Sequence, residues 1–312
     1  MSDSNNNMMC DLETGMCGPA DDEQVQTIDL NQLAKKFTLY YVTDPICSHC
    51  WALEPVLNRF LRQYGHYFNL KVVMGGLLPS WHGFADNSNG IQKPADVAHH
   101  WKEVGLHSRM PIDGSLWISD PILSSYPPSR VFKVIAHRHP GKELQFLRRA
   151  REAVFVFNRN IAEDTVMIDL VNGIGLDGAK IIQESGLDSA QVLLDGDFEL
   201  ASSLGVRGFP TLVMVNEENK GVKISGARPL ETYVSGLQQL SAATLEARPV
   251  PGLTQLLQEE LLLFSKEIEV MYDIQSHQVG AFAEGQLAKG TYSADIILDE
   301  VYLTSKPHSQ NQ

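Results

Sequence analysis

Four residues carry a chemistry that their spacing specifies: Cys47, Ser48, His49 and Cys50. Two thiols three positions apart can close into a disulfide and be reopened. A thiol at the start of a helix meets unpaired backbone N–H groups and the positive end of the helix dipole. Both lower its pKa, so Cys47 is expected to be the attacking thiolate, below the ordinary cysteine value. Cys50 lies one turn on and is placed to resolve a mixed disulfide. The same C-x-x-C could be half of a zinc site. The elements around it favour the redox reading.

Those elements are legible. Phe37 to Val42 is an apolar, aromatic and β-branched run that reads as a buried strand. Thr43, Asp44 and Pro45 break it. After the dithiol, Trp51, Leu53, Val56, Leu57, Phe60 and Leu61 recur at helical spacing. A second strand is expected over Phe68 to Met74, ending at Gly75-Gly76, which makes a βαβ unit. From there to about Leu200 the texture is helical, with candidates at 95–104, 129–137, 143–158, 165–174, 178–185 and 188–204. A strand returns at Leu212 to Val215, directly after Gly208-Phe209-Pro210-Thr211, with an antiparallel partner at 221–225 and a helix at 230–240. Leu253 to Met271 has one strong apolar face and is expected to be a single helix, with a second over 276–289. Either that face packs back as core, or it forms a surface for a partner or a homodimer. On the second view, removal of everything after Ala243 would spare the thiol chemistry.

Composition narrows the function. The chain has 312 residues, 43% hydrophobic, with a net charge of -13 and a pI near 5.2. This argues against a nucleic-acid binder. No basic start is followed by an apolar run, and LLQEELLLF is interrupted by glutamates, so neither a signal peptide nor a membrane span is expected. A cytoplasmic protein follows, in which a reactive dithiol is more natural than structural disulfides. The domain plan is a flexible acidic arm at 1–36, a thioredoxin-like domain from 37–80 and 201–245, an inserted helical domain at 81–200 and a helical extension at 246–312. Cys10 and Cys17 lie in the arm, either as a secondary redox pair or as free thiols. Other residues have two readings each. Trp51 and Trp81 flank a peptide groove or sit in the core. Asp44 caps a turn or exchanges a proton with Cys50. Glu54 shuttles a proton or lies on a solvated face. His99, His100, His137 and His139 read as solvated helix and turn residues with no Cys, Asp or Glu spaced to complete a zinc site, so no metal is expected, and no cofactor.

The dithiol with its flanking elements, the Met74-Gly75-Gly76-Leu77 turn, the helical insertion and Gly205-Val206-Arg207-Gly208-Phe209-Pro210-Thr211 together resemble the DsbA-like, FrnE-like branch of the thioredoxin superfamily. The resemblance implies an α/β thioredoxin-like fold with a large helical insertion. It makes Cys47 the nucleophile, Pro210 a cis-proline beside it and His49 a residue that favours the thiolate. Gly208, Phe209 and Trp51 would then line the substrate site. A second resemblance covers residues 44–55 and 264–273, which look like the SpxH (YjbH) adaptors that hand the regulator Spx to the ClpXP protease. Two functions are therefore expected, in this order: a thiol–disulfide oxidoreductase acting on protein thiols, and an adaptor for a regulator protein. A glutathione-dependent isomerase on this fold is disfavoured, because both cysteines are present.

Overall fold

The computed structural model describes residues 37–87 and 89–306, with the backbone of two short strands nearer the N-terminus. Those strands, β1 (Cys10–Asp11) and β2 (Met16–Cys17), form an antiparallel ladder in which Cys10 is the register partner of Cys17. The arm expected at 1–36 otherwise lies outside the described residues. The chain divides into a unit at 1–35 and a second at 36–312.

Its central strand is β3 (Phe37–Thr43), followed by α1 (Ser48–Tyr64) and β4 (Phe68–Met74). Later come β5 (Thr211–Asn216), β6 (Gly221–Ser225) and α9 (Leu230–Leu240). The sheet order is β4-β3-β5-β6. β3 runs parallel to β4, with Phe37 opposite Phe68, and antiparallel to β5, with Val42 opposite Thr211. The two halves separated by the long insertion thus meet as adjacent strands. Alternation along β3 decides what packs where. Phe37, Leu39 and Tyr41 join Leu53, Leu57 and Phe60 of α1 and Tyr233 and Leu237 of α9 in one cluster. Val42 faces the other way, onto Val73 and Ala201.

The insertion carries α2 (Pro94–Ser108), α3 (Leu116–Ser119), α4 (Tyr126–Arg138), α5 (Glu143–Arg151), α6 (Asp164–Gly173), α7 (Gly178–Ser185) and α8 (Asp188–Ser203). One expected helix is altered. The amphipathic run at 143–158 leaves α-geometry after Arg151 and becomes a π-helical turn, Glu152–Val156, closed by Phe157 N donating to Glu152 O at 3.1 Å.

The C-terminal extension departs further from expectation. It contains α10 (Leu253–Glu260), β7 (Leu262–Phe264), α11 (Ser265–Tyr272), α12 (Val279–Gln286), β8 (Tyr292–Ile297) and β9 (Glu300–Ser305). The single helix expected over 253–271 is two helices with a strand between them. Leu261 takes a left-handed conformation, φ 64°, and ends the first. The physical reason lies in Leu262-Leu263-Phe264, whose neighbours alternate with the period of a strand. Leu262 and Phe264 enter the large core of the insertion, while Leu263 enters the extension's own core with Leu256, Leu257 and Ile268. A helix cannot serve two opposite cores with successive residues. The three-stranded sheet, order β7-β9-β8, closes through a turn at Leu298 and Asp299, both at positive φ.

Charged groups hold the extension to the rest of its unit. Arg148 of α5 is buried between Glu152 and Glu267, with contacts of 2.8 and 2.7 Å. Arg59 donates to the Val270 carbonyl at 2.6 Å, and Arg62 pairs with Glu259 and Glu260. Arg109 pairs with Glu269 and Glu300. The apolar face of 253–271 is therefore core, and it is not an accessible stripe for a partner. Among the described residues no helix is long and apolar enough to cross a membrane.

Candidate functional site

The dithiol stands where β3 gives way to α1. Cys47 is the N-cap of α1, in extended backbone, and its Sγ accepts from the Cys50 N–H at 3.3 Å. Its own N–H donates to the Asp44 carbonyl at 3.3 Å. Cys47 is 5% exposed and Cys50 fully buried, and both are free thiols. The Phe209–Pro210 peptide is cis. The β3–β5 register puts Pro210 level with Thr43, at the exit toward the dithiol. The Phe209 ring lies against Gly75, where any Cβ would fall 2.0 Å from a ring carbon. That close approach is what the first of the two glycines provides, while Gly76, at φ 70°, makes the turn.

Asp44 organises the loop. Its carboxylate accepts from Ile46 N at 3.1 Å, from Leu77 N at 2.8 Å and from Ser125 Oγ at 2.9 Å. One side chain thus joins the dithiol loop, the end of β4 and the start of α4. Burial pushes its pKa up to about 6, against the pull of those donors. The turn-capping role is thus realised and extended.

The two sulfurs differ in their surroundings. Burial pushes the Cys47 thiol up, and its hydrogen bond with Cys50 and the charge there push the same way. At Cys50 burial works against the anion too. It is outweighed by the hydrogen bond from Cys47, by the Arg151 guanidinium and by the Thr43 hydroxyl, so that thiol falls below its ordinary value. Burial thus works against the anion at both sulfurs, and the donors that oppose it gather at Cys50. His49 adds little positive charge. Burial first, then the proximity of His100 and His107, hold its pKa below the usual histidine value. Its ring lies edge-on to His100, with centroids 5.4 Å apart.

A cleft of about 440 Å³ opens beside the dithiol, lined by Cys47, His49, Trp81, Trp101, Gly208 and Phe209 among others. Trp51 does not line it. The indole is fully buried, donates to the Pro111 carbonyl at 2.9 Å and stacks on Phe155, with Phe264 edge-on. Its assignment to the substrate site is corrected: position 51 points down the apolar face of α1. Trp81 does reach the cleft, with its indole N–H on the Ile122 carbonyl at 2.8 Å. Glu54, expected in solvent, is paired with buried Arg151. Sequence reasoning missed Arg151, because nothing marks it among the three arginines at 148, 149 and 151. Among the described residues no three His, Cys, Asp or Glu side chains group as a metal site. Cys10 and Cys17 belong to the other unit.

A buried dithiol beside an apolar cleft can exchange with a disulfide. One sulfur attacks, a new S–S bond forms, the substrate bond breaks, and its leaving sulfur departs as thiolate. The second cysteine then displaces the bound half.

A family model described as Thioredoxin matches residues 40–235. The ClpXP adapter protein SpxH of Halalkalibacterium halodurans is 30% identical over 291 residues, covering 93% of both chains. The protein of the same name from Shouchella clausii is 31% identical over 274 residues, covering 86% of this chain and 87% of its own. Among solved structures, a putative protein disulfide isomerase from Nitrosomonas europaea superposes with a TM-score of 0.56 at 22% identity, covering 65% of this chain and 97% of its own. The cytosolic disulfide reductase DsbM from Pseudomonas aeruginosa does so with 0.51 at 20% identity, over 65% and 100%. At such identity the two structures establish the fold alone.

Proposed function

The chain belongs to the SpxH family of ClpXP adapter proteins, built on a thioredoxin-like fold, and from that premise we propose that it presents a transcription regulator of the Spx type to the ClpXP protease. One observation carries this reading. The likeness to the adapters runs over 93% of the chain, against 65% for the oxidoreductase structures. An adaptor needs a rigid body with two faces, and the buried Arg148–Glu267 pair on α5, with the Arg59 hydrogen bond from α1 to the Val270 carbonyl, supplies rigidity to the extension. The apolar face of 253–271 is spent inside the fold, so substitutions there test stability and not client docking. In this reading the protein works in the cytoplasm, beside the protease. The test is degradation of a purified Spx-type regulator by purified ClpXP. Addition of this protein is expected to speed loss of the regulator several-fold, and Cys47→Ser is expected to do so equally well. No acceleration at saturating concentration would reject the reading.

A second reading, thiol–disulfide oxidoreductase, is favoured by the intact Cys47–Cys50 pair next to a cis-proline and an apolar cleft. Its substrates would be protein thiols and disulfides. Reduction of a model protein disulfide above the rate given by glutathione alone, lost in Cys47→Ser, supports it. Cys10 and Cys17 extend this reading. Directly opposed residues of an antiparallel ladder have Cα atoms ~4.5–5.5 Å apart, within the reach of a disulfide. Peptide mapping of the oxidised full chain should find them linked to each other, and scrambled linkage would count against a dedicated pair.

A further inference from the structure

The four-stranded sheet ends at β6, whose outer side pairs with no further strand among the described residues. An open edge can take a strand from another chain, and the side chains around it decide which. Three cations gather at this corner, Arg207, Lys223 and Arg228, all of them exposed. Lys223 Nζ donates to the Gly205 carbonyl at 2.7 Å, which draws it to the loop that carries Arg207. Arg228 Nε donates to the Ser225 carbonyl at 3.1 Å, where β6 ends. The following N–H, of Gly226, donates to the Pro210 carbonyl at 2.8 Å and ties the same corner to the cis-proline. Arg207 itself lines the cleft beside Cys47.

These charges are not used by the fold. Among the described residues none of the three meets a carboxylate, and their bonds to carbonyls leave the positive charge unneutralised. Lys220, just before the far end of β6, differs in being paired with Glu218 at 2.7 Å. In a chain with 38 acidic side chains against 25 lysines and arginines, three neighbouring cations without an acid mark a place for one from outside. A second copy of β6 would bring like charges to the same edge and be repelled. A nucleic acid would meet the field of a net charge of -13. An acidic segment of another protein suits both the edge and its charges.

We propose that the β6 edge is a docking strip for an acidic, extended segment of a protein client. The segment pairs its backbone with β6, and Arg207, Lys223 and Arg228 receive its carboxylates. Alternate residues of a strand share one face and lie ~6–7 Å apart, so acids at every second position can reach successive cations. The inference rests on the reading that the chain binds a protein client, and it names the chemistry by which a segment of that client is held.

The test is fluorescence anisotropy with the full chain and a labelled peptide that alternates glutamate with threonine over ten residues. Versions with glutamine and with lysine in place of glutamate are measured alongside. The glutamate peptide is expected to bind about tenfold more tightly than the glutamine one, and the lysine peptide more weakly than either. Lys223→Glu combined with Arg228→Glu should weaken the glutamate peptide by about tenfold or more, and Lys220→Glu by less than about twofold. A glutamate peptide bound no better than its glutamine version overturns the proposal. So does a double variant that binds like the parent, a Lys220→Glu loss as large as that of the double variant, or a single-stranded oligonucleotide bound more tightly than the peptide. Should the double variant fail to melt cooperatively, Arg207→Gln decides, and undiminished binding there overturns the proposal. The degradation assay fails separately: binding of the peptide without faster loss of the regulator rejects the adaptor reading alone, and faster loss with the peptide ignored rejects the docking strip alone.

Discussion

Asp44 shows how a single side chain can serve the site while working against the fold. Its folded pKa of about 6 stands above the ordinary carboxylate value. The group therefore favours folding fully at low pH, where both states are protonated. That contribution is lost as pH rises, because the unfolded chain ionises first. Between about pH 4 and pH 6 the advantage of the wild type over Asp44→Asn is expected to fall by roughly 3 kcal/mol and then level off. Denaturant titrations at several pH values measure it, and a gap that stays constant or widens through that window contradicts the assignment. For His49 the expectation is the opposite of its reputation in such motifs. Held neutral by burial and by its histidine neighbours, it should be replaceable by Ala with no movement of the dithiol titration above pH 7. At this scale the sequence was only partly informative. Two cysteines at that spacing and Pro210 could be found, because their chemistry is tied to their identity. The fate of Trp51 and the choice of Arg151 could not, since both depend on which neighbours arrive from sixty or more residues away.

The elements of the thioredoxin-like sheet followed from hydrophobic periodicity, and so did most helices of the insertion. Periodicity failed where one segment serves two cores. Leu253 to Met271 satisfies a helical pattern throughout, yet Leu262-Leu263-Phe264 is a strand shared between clusters. The hairpin of β8 and β9 escaped notice because its turn, Leu298-Asp299, has no glycine or asparagine to announce it. Leu261 ends α10 at φ 64° with its side chain 52% exposed, so glycine should suit the position better. Leu261→Gly is expected to raise stability by about 1 kcal/mol, and a lowered unfolding midpoint would refute the conformational argument. Glu267 accepts from the two terminal Arg148 nitrogens and from the Phe264 N–H. Glu267→Gln leaves Arg148 with Glu152 alone, which Arg149 shares, and should cost about 3 kcal/mol, read as a shift of the denaturant midpoint. A loss under about 1 kcal/mol would mean that Glu152 alone suffices.

The molecule from residue 37 onward behaves as one body because its cores interlock. Phe264 completes the aromatic stack around Trp51, and Arg148 lies over the same indole. Removal of the extension after Ala243, which the sequence suggested would spare the thiol chemistry, should instead open the core under the dithiol. The truncated chain is expected to lack a cooperative thermal transition and the wild-type thiolate titration together. A truncated protein that melts cooperatively with an unchanged dithiol would show the extension to be an appendage.

The order β7-β9-β8 has a mechanical consequence. β9, later in the chain than either neighbour, is the middle strand, paired along three residues with β7 and six with β8. Traction entering the chain beyond β9 cannot peel it away one bond at a time. It must drag the strand lengthwise against two ladders at once, with every rung loaded together. Two ladders therefore hold this strand at once.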